Sequence, residues 1–172
     1  MPRGRNKSKA DNLFIRACRH EDDGDSKSAF RLMLAAAKLG DTGAQVNVGN
    51  YYDAGIGVRQ NRAAAMYWYK RAYSRGYSCA AHNIGIIWRN EKQHRRALAW
   101  FRRAVELGDD DSSLDIGKHY LHEGNNPAKA IAHFKRVIRA KSVTGASVEE
   151  ATLLLREAEN RLNSKKRPTT ND

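Results

Sequence analysis

The sequence predicts an all-α protein, an array of about four helix-hairpin repeats closed by a C-terminal capping helix. The first observation behind this is a recurring segment: "AFRLMLAAAKLG" from Ala29, "AMYWYKRAYSRG" from Ala65, "ALAWFRRAVELG" from Ala97 and "AIAHFKRVIRAK" from Ala130 align without gaps, with starts 36, 32 and 33 residues apart. The second is an element preceding three of them, in which an aliphatic-Gly pair is followed by an aromatic: Val48-Gly49-Tyr52, Ile84-Gly85-Trp88 and Ile116-Gly117-Tyr120. The third is composition. With 3 Pro in 172 residues, 41% hydrophobic and 29% charged, the chain suits a helix-rich globular protein and excludes a collagenous or wholly disordered one.

In the recurring segment Ala is followed four residues later by Met33, Tyr69, Phe101 or Phe134, and three later again by Ala36, Ala72, Ala104 or Val137. These offsets trace one face of a helix, and Gly40, Gly76 and Gly108 supply the left-handed residue that closes it. Gly inside a helix costs about 1 kcal/mol against Ala, so three equivalent front-helix glycines call for a structural reason, and close approach of the partner helix supplies one. Residues 11–20 read as a degenerate first front helix, with Arg16-Ala17 and His20 at the matching places. The predicted repeats are thus about 10–41, 42–77, 78–109 and 110–141, each hairpin stacking on a neighbour to bury its remaining apolar face. A capping helix is expected over 147–162, opened by Ser147 and Glu150 as a capping box. A basic tail over 1–9 and a second tail over 163–172 lack apolar content and are expected to be disordered.

The stretch from Ala44 to Gly76 closely resembles a Sel1-like repeat, of the tetratricopeptide-related family. The matching residues are Val48-Gly49-Tyr52, the loop Gly55-Ile56-Gly57-Val58, Ala65, Trp68-Tyr69, Arg71-Ala72 and the closing Gly76. Repeats three and four lack the Gly-x-Gly loop. The resemblance implies a right-handed α-solenoid that acts as an adaptor, binding other proteins without catalysis. Its geometry would line a concave face with Val46, Asn50 and Asp53, then His82, Ile86 and Arg89, then Leu114, Lys118 and Leu121. From these, Asn50, Asp53, His82, Arg89 and Lys118 are the candidate protein-binding residues. Polar and cationic groups among aliphatic ones suit a peptide bearing a carboxylate. Asn47 and Asn83 are expected to bond nearby backbone.

Charge adds a rival reading. Lys+Arg number 31 against 19 Asp+Glu, a net charge of +12, which favours acidic partners: nucleic acid, an anionic surface or an acidic protein face. Eleven of the basic residues fall between Arg59 and Arg103, against Glu91 alone. Lys70-Arg71, Arg102-Arg103 and Lys135-Arg136 share repeat positions and should align on the back helices, as a solvated face or a polyanion-binding stripe. An inhibitor that blocks a partner enzyme would use the same concave groove.

Other chemistry is thin. No Ser-His-Asp set, HExxH, GxSxG or paired-carboxylate pattern is present, so no enzyme and no cofactor is expected. Gly55-Ile56-Gly57 reads as an interhelical turn, since no strand precedes it. His119, His122 and Glu123 lack a third ligand at helical spacing, and no metal is expected. Trp68, Tyr69, Trp100 and Phe101 read as inter-repeat core, with His133 as a packing substitute in the Trp68 and Trp100 slot. Glu21-Asp22-Asp23 and Asp109-Asp110-Asp111 read as helix caps. The cysteines, Cys18 and Cys79, show no CxxC spacing, no apolar leader opens the chain, and no run approaches the roughly 20 residues of a membrane span. A soluble, cytoplasmic protein is the expectation.

Overall fold

A computed structural model describes residues 3–166, and among them every regular element is an α-helix. In order these are α1 (Arg3–Asp22), α2 (Ser26–Lys38), α3 (Thr42–Ala54), α4 (Arg62–Tyr73), α5 (Ser78–Asn90), α6 (His94–Glu106), α7 (Ser112–His122), α8 (Pro127–Arg139) and α9 (Gly145–Lys166). Helices α1, α3, α5 and α7 stand at the front-helix positions of the predicted hairpins, α2, α4, α6 and α8 at the back-helix positions, and α9 at the place of the expected capping helix. The contacts group into two compact units, residues up to Asn83 and residues from Ile84 onward. Local grouping is what an array in which each repeat touches only its neighbours produces.

The back-helix periodicity translates directly into burial. Ala29, Met33, Ala36, Ala65, Tyr69, Ala72, Ala97, Phe101, Ala104, Ala130, Phe134 and Val137 are all buried. Opposite them lie the front-helix glycines. A Cβ on Gly49 would come within 2.4 Å of the Tyr69 ring, one on Gly85 within 2.6 Å of the Phe101 ring, and one on Gly117 within 2.4 Å of the Phe134 ring. Each front helix therefore offers a slot without a side chain, into which the back helix inserts an aromatic ring. The first hairpin meets the same need differently: Ala17 takes the glycine position, and the thinner Met33 replaces the ring in the same buried cluster.

Turn chemistry sets where the helices stop. Asp25, Asp41, Asn61 and Asn126 each accept a hydrogen bond from a backbone N–H three residues on, capping α2, α3, α4 and α8. In the α3–α4 loop Gly55 (φ 73°) and Gly57 (φ 66°) both take the left-handed region, and a Cβ on Gly57 would collide with the Ser26 carbonyl. The turn reading of this loop is therefore correct.

Several expectations need correction. Helix α1 begins at Arg3, so much of the expected basic tail is helical: Lys and Arg are good helix formers, no proline interrupts them, and Ala10 is already buried. At the other end α9 continues through Lys166; residues 1, 2 and 167–172 of the two expected tails lie outside the described residues. Ser147 does not open α9. Thr144 does, its Oγ1 accepting from the Ser147 N–H at 3.1 Å, while Glu150 turns away to Lys118. The second acidic cluster also does other work, with Asp110 paired to Arg136 at 2.9 Å and Asp111 making no side-chain cap bond.

A candidate protein-binding face

The front-helix candidates divide by unit. In the first unit Asn50 stands exposed on α3, and its Oδ1 accepts from the Tyr69 hydroxyl at 2.7 Å and from Asn83 Nδ2 at 3.0 Å. Burial pushes the Tyr69 phenol pKa up, with the Asp53 carboxylate adding to it, so this hydroxyl stays protonated as a donor. Asn50 is thus first a partner for the ring that fills the Gly49 slot. Asp53 and His82 are half-buried, and the Asp53 carbonyl accepts from Gln60 Nε2 at 2.7 Å. Asn83 and Asn47 do not bond backbone as expected. Asn83 reaches Asn50, and Asn47 Nδ2 lies 3.9 Å from Met33 Sδ, because both project from α-helix whose own backbone is satisfied.

In the second unit both candidate cations hold carboxylates. Arg89 on α5 donates to Asp115 Oδ1 at 2.5 Å, its guanidinium lying 5.9 Å from the Phe101 ring centre. Lys118 on α7 sits 2.6 Å from Glu150 Oε1 of α9. The resemblance nominated these cations but not their partners, which come from other helices. The aliphatic members of the expected groove are largely withdrawn: Val46, Leu114 and Leu121 are buried, and Ile86 packs half-buried against the Phe101 cluster. Side chains this far inside serve packing, so any face presented here is polar.

The back-helix basic residues are mostly engaged. Arg71 donates to the Tyr67 hydroxyl at 3.0 Å and lies 5.5 Å from the Trp68 ring centre. Arg102 donates to the Tyr120 hydroxyl at 2.8 Å, and Arg103 lies 4.5 Å over Trp100. Arg136 pairs with Asp110 and Lys135 approaches Glu159 at 3.9 Å. Lys70 is exposed. Trp68 is buried as expected, but Trp100 is only half-buried, roofed by Arg103 rather than enclosed in core. His133 fits its packing role, stacked on Tyr120 with ring centres 5.7 Å apart, and burial with nearby Arg102 and Arg136 pulls its pKa down.

His122 is exposed and stands outside the one cluster of potential metal ligands found among the described residues, which joins His119 and Glu123 to His94 of α6. Sequence reasoning missed His94 because it lies on another helix at no periodic distance.

Repeated two-helix units, the last three of them with a glycine slot and an inserted ring, define a helical-repeat protein of the α-solenoid class. The Sel1 repeat model matches residues 23–41, 42–77 and 90–109. It is 27% identical over 121 residues to the ERAD-associated E3 ubiquitin-protein ligase component HRD3B of Arabidopsis thaliana, a match over 69% of this chain and 19% of that protein. The chain thus spans about a fifth of the length of this curated relative. Among solved structures it is similar to a Sel1 repeat protein from Oxalobacter formigenes (TM-score 0.69, 24% identity, covering 94% of this chain and 75% of that one). It is also similar to a protective antigen of uropathogenic Escherichia coli displaying an SLR fold (TM-score 0.66, 19% identity, covering 88% and 38%). At these identities the structures speak for the fold. Sel1 repeats generally mediate protein–protein interaction. No helix among the described residues is long and apolar enough to cross a membrane.

Proposed function

We propose that this chain is a non-catalytic protein-interaction module whose front helices take a carboxylate-bearing peptide or protein surface. The observation that carries this reading is the pairing of Arg89 with Asp115 and of Lys118 with Glu150. Both cations are partly exposed and both already hold a carboxylate, so the positions suit that group sterically and electrostatically. A partner carboxylate would exchange with the chain's own. Exchange at Lys118 costs little, because its pair with Glu150 is partly exposed and such pairs contribute about 0–1 kcal/mol, whereas Asp115 is only 13% exposed and holds Arg89 more firmly. Asn50, Asp53 and His82 are the corresponding polar candidates of the first unit.

The test is affinity capture from the native cell followed by titration of the captured partner's acidic segments. Arg89→Ala combined with Lys118→Glu should abolish binding, while Arg71→Glu with Arg103→Glu should leave it nearly unchanged. Equal capture by the first variant would end the front-helix reading.

A second reading, polyanion binding through Lys70, Arg71, Arg102, Arg103, Lys135 and Arg136, draws on the net charge of +12 and on Arg71 lying beside the exposed Tyr67 ring. An Arg and an exposed aromatic together can stack a base. In-chain partners for most of these cations weigh against it, and the opposite ranking of the same two variants with nucleic acid would favour it.

A further inference from the structure

His94 is the first residue of α6, His119 lies in the last turn of α7, and Glu123 is the C-cap of α7. One ligand-capable atom from each lies within 4.8 Å of the other two. The two imidazole rings are 5.7 Å apart at 30°, and His119 Nδ1 is 2.9 Å from Glu123 Oε2. Two imidazoles and a carboxylate converging in this way are the donors of three-ligand zinc centres, whose fourth position is left to water.

Space and charge fit such an ion. The three residues line a cavity of about 40 Å³ walled on its apolar side by Ala97, Leu98 and Phe101. A water needs only about 10–15 Å³ of such space, so an ion with its water has room. The two cations that also line the cavity are each answered by a carboxylate, Arg89 by Asp115 and Lys118 by Glu150.

The local fold has a use for a tie here. The residue before α6, Gln93, makes no side-chain cap bond, and Lys92 in the same turn has φ 60°. We propose that His94, His119 and Glu123 bind one divalent transition-metal ion of the zinc class, clamping the start of α6 to the end of α7. The site stands independently of the partner reading, since it needs no second protein.

The experiment titrates the metal-stripped full chain with Zn²⁺ against a chromophoric zinc indicator, and in parallel with Co²⁺ followed by its visible absorption. One Zn²⁺ per chain should be taken up from a micromolar solution, Co²⁺ should give the intense bands of a four-coordinate site, and Zn²⁺ should raise the melting temperature. His94→Ala and Glu123→Gln should each weaken uptake by about tenfold or more, as loss of one of three protein ligands demands. Both change groups at a helix end and should keep the circular dichroism of the parent. His122→Ala and His20→Ala should bind as the parent does. Failure to take up one equivalent, or uptake that survives His94→Ala, overturns the site.

Discussion

At Gly85 a single added methyl group meets a buried ring with nowhere to go. Because a Cβ there would stand 2.6 Å from Phe101, Gly85→Ala should lower stability by about 1–3 kcal/mol, the usual cost of overpacking, despite alanine's better helix propensity. Urea unfolding measures this, and adding Phe101→Leu should recover part of the loss by thinning the inserted side chain. Asn50 makes a complementary case. Asn50→Ala strips the acceptor from the Tyr69 hydroxyl, and an unsatisfied polar group of this kind costs about 1–3 kcal/mol. His133 gives a pH dependence whose sign is fixed by burial. Its folded-state pKa lies below its unfolded value, so the folded state holds its proton less tightly and the His133 contribution is fully present above about pH 6.5. It is lost as pH falls through the unfolded value toward the folded one. His133→Trp, the residue of the second and third repeats at this position, should flatten the fall in melting temperature below about pH 6.5 that His133 causes.

Among the elements, α9 carries a burden that the first eight helices share between neighbours. Ala151 and Ala158 are buried with Leu121, Phe134 and Val137, and Leu154 and Leu155 pack beside them. Ending the chain before Thr144 should therefore expose this cluster, broaden thermal unfolding and promote aggregation visible by light scattering. The gentler change Thr144→Ala should cost about 1 kcal/mol through the lost cap. Which parts of this were legible in the sequence follows from range. Gly49, Gly85 and Gly117 were readable because one residue at one offset recurs, and local periodicity converts directly into a face. The α9 start was misread because Ser147 and Glu150 satisfy the capping pattern, while Glu150 is drawn to Lys118 by a contact 32 residues away. For the candidate face, the resemblance nominated Arg89 and Lys118 but gave no sign of their partners Asp115 and Glu150. His94 and His119 share no helix and no period, so only their folded proximity reveals them.

Taken as one molecule, the chain carries +12 without presenting all of it unopposed. Arg136, Arg89, Lys118 and Arg161 face carboxylates, and Arg71 and Arg103 lie on rings. Affinity for random duplex DNA should therefore be measurable at low salt and vanish near physiological salt. Each phosphate contact contributes about −0.9 to the slope of log affinity against log salt, so fluorescence anisotropy at several salt concentrations counts the contacts directly. Submicromolar binding at physiological salt that disappears in Arg71→Glu with Arg103→Glu would instead make the back helices a functional surface.

The glycine slot and its ring also govern how such a chain can change length. In the last three hairpins both halves of the lock lie in one helix pair, Gly49 with Tyr69, Gly85 with Phe101 and Gly117 with Phe134. Duplicating a whole hairpin copies a finished lock and disturbs none of the others. Inserting a single residue within a front helix, between its glycine and the turn, rotates the slot by roughly 100° away from the ring, since a helix advances 3.6 residues per turn. Gains and losses of entire repeats are thus cheap for this architecture, whereas frame shifts inside one are expensive.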